Sequence, residues 1–342
     1  MTAIKPFHTI DQNALLDVYE GWPEHFGSAS KIDCIVDYDA DHYDSLFFCG
    51  MGGSATSCDI LNDLIRFYGQ KPSFVLRGES MPKTVTNRSL VIINSVSGNT
   101  DEALVMANEA AKKRAEVICI ASGGKLSKYA DSMGVKQIRI PNLSLPRASL
   151  PYLIMPGLKL IAPFLPDSIV RDFNLVPENL TEERKRLTSQ LNDNDNAAKT
   201  IASFLKNSFV FCLTSPFMTS VGTRFKNSLN ENAKIHCANE SILESMHNEI
   251  VPFTYVNKGL SRKVIFVNTN LDTQSTNQKF KKVQQLFREI GQPYLELLPP
   301  GESLIIAILR MIYALDFATL YVAVERGIDP SPTPAIDILK KL

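Results

Sequence analysis

From about residue 45 the chain alternates short apolar runs, such as Leu46-Phe47-Phe48-Cys49 and Leu90-Val91-Ile92-Ile93, with longer amphipathic stretches. This is the pattern of strands joined by crossover helices in a parallel sheet. It predicts strands over 46–49, 73–76, 90–94, 117–120 and 137–140, helices over 55–68, 101–114 and 126–131, and a further helix after Pro151. Residues 166–195 break the pattern, with Pro166, Pro177, the polar run Thr181-Glu182-Glu183-Arg184-Lys185-Arg186 and then Asn192-Asp193-Asn194-Asp195-Asn196. They read as a connecting helix and a turn-rich linker between domains. The alternation then resumes, with strands expected over 208–213, 233–237, 264–268 and 294–297 and helices over 220–230, 241–246, 276–290 and 303–326.

The expected fold class is therefore α/β, with two domains, each a doubly wound, mainly parallel five-stranded sheet flanked by helices. Residues 1–165 would hold an N-terminal helical segment and the first sheet, 166–195 the connector, and 196–342 the second sheet with a C-terminal helix. The repeat is one of architecture, since the halves share no sequence that aligns by eye. The length of 342 residues agrees with two domains, because a single core stops growing below that size.

Thirty-six Lys+Arg against thirty-six Asp+Glu give a net charge of zero, which supplies no long-range field for nucleic acid or an acidic membrane. Any anion must be bound locally. The six cysteines form no CxxC pair and several sit in strand-like apolar runs, so they read as reduced core thiols of a cytoplasmic protein. The N-terminal residues carry no apolar stretch of the kind a signal peptide has. The apolar segment 304–324 carries Arg310 and Asp316 in its interior and reads as a buried helix rather than a membrane span.

Two strand-to-helix turns in the first half suit an anion. Gly50-Met51-Gly52-Gly53-Ser54-Ala55 follows the first strand, and its glycines let backbone amides approach a ligand closely. Ser95-Val96-Ser97-Gly98-Asn99-Thr100 follows the third, gathering three hydroxyls around a glycine, neutral donors able to surround a phosphate dianion. The plain alternative is that Ser97 or Thr100 merely caps a helix, with Glu102 in its first turn. Together the GMGGSA and SxSGxT segments resemble the sugar isomerase (SIS) domain, in which these loops bind a sugar phosphate.

Chemistry must come from the second half. Aldose–ketose interconversion needs a base that shuttles a proton between C1 and C2, a group that opens the ring, and positive charge near the enediolate. Glu231, in Leu229-Asn230-Glu231-Asn232-Ala233-Lys234, and His247, in Met246-His247-Asn248-Glu249-Ile250, have the required groups. Taken singly, each reads more readily as an ordinary residue, Glu231 as a solvated surface acid and His247 as a packed or surface histidine. The order NENAK, MHNEI and the C-terminal Asp329-Pro330-Ser331-Pro332-Thr333-Pro334…Ile338-Leu339-Lys340 resembles the bifunctional phosphoglucose/phosphomannose isomerases of archaea and some bacteria, from about Leu46 to Lys340.

That resemblance implies two SIS-type domains and a homodimer acting on hexose 6-phosphates through a cis-enediol. It assigns the proton shuttle to Glu231 and ring opening to His247, contributed across the dimer interface and assisted by Lys340, with Lys341 beside it left open. Arg147, in Pro146-Arg147-Ala148-Ser149, would stabilise the enediolate. Gly52 and Gly53 would shape the first loop, while Ser54, Ser95, Ser97 and Thr100 would hold the phosphate. Thr333 would permit both C2 epimers; from the residues alone it reads equally as a hydroxyl in a Pro-rich turn. No cofactor or metal is expected, because there is no HxH, HExxH or clustered Cys/His pattern and a carboxylate base needs none. Nucleic-acid and membrane partners are not expected. Two other readings are a non-catalytic phosphosugar-binding regulator, although no helix-turn-helix or basic tail is evident, and an isomerase of an aminosugar or heptose phosphate.

Overall fold

The computed structural model describes residues 7–34, 38–141, 143, 145–255, 259, 261–301 and 303–339. The chain divides into two compact units, one of Gly21–Glu178 and one of Met1–Glu20 with Asn179–Leu342.

In the first unit, five parallel strands, β1 (Ser45–Cys49), β2 (Ser73–Leu76), β3 (Ser89–Ser95), β4 (Glu116–Ala121) and β5 (Lys136–Arg139), are ordered β2-β1-β3-β4-β5. The chain leaves β1 to one side, then crosses back to β3 on the other, so the order reverses between β1 and β3. Every residue of β3 is buried, as a strand covered on both faces requires. Helix α1 (Gly52–Tyr68) follows β1, α2 (Asp101–Lys112) follows β3, α3 (Gly124–Met133) follows β4 and α4 (Leu150–Ile161) comes after β5. Phe47, Cys49, Val91, Ile93, Val117 and Cys119 form one sheet face beneath Ala103, Met106 and Ala107 of α2 and Leu126 of α3. Leu46, Phe48, Leu90 and Ile92 are buried on the other face, where α1 packs, with α4 against it.

The second unit has the same winding. After α5 (Ala197–Leu205), strands β6 (Phe209–Thr214), β7 (Cys237–Ser241), β8 (Arg262–Val267) and β9 (Tyr294–Leu297) are all parallel and ordered β7-β6-β8-β9. Helix α6 (Thr219–Ser228) follows β6, α7 (Gln274–Glu289) joins β8 to β9, and α8 (Leu304–Glu325) follows β9. Leu213, Val264 and Phe266 meet Phe280, Val283 and Phe287 of α7 on one face. On the other side α5 and α6 pack on α8. This helix is long and apolar enough to cross a membrane, yet it is largely buried, apolar on every side as a central core helix is.

Three expectations are corrected. Among the described residues the second sheet has four strands rather than five, because Leu298-Pro299-Pro300-Gly301 comes straight after β9 and proline cannot donate to a ladder. The strand expected over 233–237 is instead the end of a wide turn, and β7 begins only at Cys237. Residues up to Glu20 belong with the second unit: the Tyr313 hydroxyl donates to the Glu20 carbonyl at 3.3 Å, and the Glu20 carboxylate accepts from Thr188 at 3.1 Å. All six cysteines are free and five are buried, with burial pushing the thiols of Cys119 and Cys237 up to about 12.

Candidate functional site

The first unit's two glycine and hydroxyl loops leave the same sheet edge at the point where the strand order reverses. Cys49 of β1 lies in register with Ile93 of β3, so the Gly50–Ser54 and Ser95–Thr100 segments emerge side by side from adjacent strand ends. Ligands of open α/β sheets bind in the crevice at this reversal. Gly52 has a left-handed φ of +52°, and no side chain caps the first turn of α1, which leaves that helix N-terminus to a ligand's negative charge.

Hydrogen bonds tie the two loops together. The Val96 amide donates to Ser54 Oγ at 3.3 Å, and Asn94 Nδ2 donates to Ser57 Oγ at 2.7 Å, whose hydroxyl donates in turn to the Ser54 carbonyl at 2.6 Å. Ser95 Oγ donates to Thr100 Oγ1 at 3.2 Å. Thr100 stands at the N-cap position of α2 but its side chain makes no capping bond, so the plain capping role does not account for its hydroxyl. Ser97 Oγ accepts from the Asn99 amide at 3.2 Å. Gly98, at φ +64°, passes so close to the next loop that a Cβ there would stand 1.8 Å from the Gly123 carbonyl oxygen. Only glycine fits.

Arg147 lies in the same unit, buried in the turn Pro146–Ser149 that leads into α4. The fully buried Trp22 holds this turn, its indole N–H donating to the Ala148 carbonyl at 2.9 Å.

In the second unit Glu231 sits, half-buried, on a π-helical turn, Leu229–Ala233, that continues α6. Such turns are rare and recur at functional sites. The turn closes with Lys234 in the left-handed region, its ammonium donating to the Glu231 carbonyl at 2.5 Å and to the Pro330 carbonyl at 3.1 Å. Beneath it lies a buried ion pair that the sequence reading did not assign to the site. Arg224 of α6 donates to Asp316 of α8 at 2.8 Å and to the Tyr19 hydroxyl at 3.0 Å. Burial opposes the Arg224 charge, but Asp316 foremost, with Tyr19 and Glu231 adding to it, holds its pKa above the ordinary value. The available signal was Asp316 itself, since a carboxylate inside an apolar helix demands a cationic partner.

His247 is exposed, on the turn after the short helix Ile242–Ser245, with its amide donating to the Glu244 carbonyl at 2.9 Å. Burial first, and then Glu240, pushes the Glu249 carboxyl above the usual carboxylate range. Glu231 precedes β7 and His247 follows it, so a five-residue strand, about 16 Å long, runs between them. The half-buried Thr333 starts the last helix, Pro334–Leu339, its carbonyl accepting from the Ile336 and Asp337 amides at 3.0 and 3.2 Å. Lys340 and Lys341 lie outside the described residues.

Residues 194–342, which include Glu231, His247 and Thr333, match the bacterial phospho-glucose isomerase C-terminal SIS domain. Over 303 residues the chain is 32% identical to a bifunctional phosphoglucose/phosphomannose isomerase of Thermoplasma acidophilum, covering 87% of this chain and 89% of that protein. The chain belongs to the bifunctional phosphoglucose/phosphomannose isomerase family. A second member, from Caldicellulosiruptor bescii, is 28% identical over 323 residues, 93% of this chain and 95% of that one. Among solved structures, a hypothetical protein of Thermus thermophilus shares the fold at a TM-score of 0.74 and 14% identity, covering 96% of this chain and 90% of its own. The family match therefore spans both sheets, and with them both the hydroxyl loops and the carboxylate turn.

Proposed function

We propose that this chain is a metal-independent isomerase that interconverts glucose 6-phosphate and mannose 6-phosphate with fructose 6-phosphate through a cis-enediol. The observation that carries the reading is Glu231, a half-buried carboxylate held on a π turn in a member of this family. Its carboxylate takes the proton from C2 of the open-chain aldose as the enediolate forms and returns it to C1. The two aldoses differ only at C2 and give the same enediol, so one base serves both if the intermediate turns; Thr333 is the residue proposed to allow it. Ser54, Ser95, Ser97 and Thr100, with the amides near Gly52 and Gly53, bind the phosphate through neutral donors, and Arg147 supplies positive charge for the enediolate. His247 opens the ring together with Lys340.

The reading includes a homodimer in which His247 serves the partner copy's site. Its exposure, and its place beyond β7 from Glu231, support that assignment.

A coupled assay with both aldose phosphates, with and without a chelator, tests the reaction. Turnover of both, unchanged by chelator, is expected; turnover abolished by chelator would sink the carboxylate mechanism, and binding without turnover would return the chain to the regulator reading. Gly98→Ala tests the phosphate loop. The added Cβ must displace the loop from the Gly123 carbonyl, and losing one or two charge-assisted hydrogen bonds, about 1.5–3 kcal/mol each, raises KM at least about tenfold. An unchanged KM in a folded Gly98→Ala protein would remove the Ser95–Thr100 loop from phosphate binding.

A further inference from the structure

The π turn that carries Glu231 is fastened to one helix on both of its sides. Before the turn, Ser228 Oγ donates to Asp316 Oδ1 at 2.6 Å. After Glu231, Asn232 Nδ2 donates to Thr319 Oγ1 at 2.9 Å, and the Thr319 hydroxyl donates to the Asp316 carbonyl at 2.7 Å. At the end of the turn the Arg326 guanidinium donates to the Ala233 and Lys234 carbonyls. All these partners, Asp316, Thr319 and Arg326, belong to α8 or its C-cap.

Ser228, Asn232, Asp316 and Thr319 are buried, so these bonds are made out of competition with water. A π turn has a geometry that the rest of a helix does not impose, and its closing residue, Lys234, is a non-glycine in the left-handed region. The turn therefore takes its shape from α8. Asn232 is the residue next to the proposed base, and its side-chain amide is anchored on that helix by Thr319, a hydroxyl in an otherwise apolar stretch, Ala318 to Ala323, broken only by Tyr321.

We propose that Asn232 and Thr319 are positioning residues for proton transfer, fixing the backbone of the turn so that Glu231 meets the carbon acid at the reacting distance. This rests on Glu231 being the base. Neither residue touches the reacting atoms in this scheme; they act through Glu231. A misplacement of about 1 Å can cost about a hundredfold in rate, which sets the size of the expected effect.

The test is Thr319→Val, which keeps the shape of the side chain and removes the hydroxyl, alongside Thr319→Ser, which restores it. With glucose 6-phosphate, Thr319→Val should lower kcat roughly ten- to hundredfold with KM within about twofold, and should slow solvent-deuterium incorporation into the sugar in the same proportion. Thr319→Ser should recover most of the rate. Should Thr319→Val fail to fold, Asn232→Ala replaces it, since it leaves the Thr319 hydroxyl bonded to the Asp316 carbonyl and should show the same split of kcat and KM. Wild-type turnover with kcat unchanged in the folded variant, or a rise in KM alone, overturns the positioning role and leaves the isomerase reading standing. A wild-type protein that turns over neither aldose phosphate overturns the isomerase reading and the positioning role with it.

Discussion

Glu231→Gln is expected to lower kcat for either aldose phosphate by at least about a thousandfold while KM stays within about twofold. A positioned base contributes roughly 10²–10⁴-fold, and Glu231 is asked to act twice in each turnover, at C2 and at C1. Glutamine preserves the shape of the side chain but cannot accept the proton. The loss corresponds to about 4 kcal/mol of transition-state stabilisation. KM should hold because the phosphate is assigned to hydroxyls and amides of the other unit, around Ser54 and Ser95–Thr100, which the substitution leaves alone. The measurement is a coupled assay for kcat and KM, with calorimetric binding of the sugar phosphate as control. Turnover within tenfold of wild type would show that another group carries the proton.

How far this site was legible in the sequence differs between its two parts, for physical reasons. The hydroxyl loops are local. A short, β-branched apolar run such as Leu90-Val91-Ile92-Ile93, bounded by turn residues, reads as a strand covered on both faces, and the Ser/Gly/Thr turn after it is contiguous, so the residues that meet in space also meet in sequence. What the sequence left open, whether Thr100 is only a cap, depended on where one hydroxyl points, and that hydroxyl is bonded to Ser95.

The carboxylate turn is not local. The apolar residues that suggested a strand over 233–237, Ala233 and Ile235 among them, serve instead to bury the π turn and its exit. The true strand, Cys-Ala-Asn-Glu-Ser, lies at the sheet edge and carries too many polar residues to stand out by hydrophobicity. Arg224 and Asp316 are separated by 92 positions, and no spacing rule joins residues so far apart. Asp316 was visible as a misplaced charge in 304–324, but its meaning as the floor of the turn required its partner.

That floor gives the largest expected change in stability. Asp316→Asn should destabilise the second unit by about 3–5 kcal/mol, the usual cost of removing one member of a buried ion pair. Arg224 is 2% exposed and Asp316 fully buried; Asp316 receives the guanidinium at 2.8 Å and the Ser228 hydroxyl at 2.6 Å. Asparagine keeps the volume, so the loss isolates the charge. What remains is a guanidinium in the core facing the Tyr19 hydroxyl and a neutral amide oxygen where the carboxylate stood. For a unit of this size each kcal/mol moves the midpoint by about 2–4 °C, so the melting temperature should fall by roughly 10 °C. By contrast the exposed pair Lys112–Glu109 should count for less than about 1 kcal/mol when broken. The double replacement Arg224→Met with Asp316→Leu should be less destabilising than Asp316→Asn alone, because it removes the stranded charge as well as the pair. Thermal melts of the three proteins decide the matter. A shift of under about 2 °C for Asp316→Asn would mean that water reaches the guanidinium and that the pair is not the buried floor of the Glu231 turn.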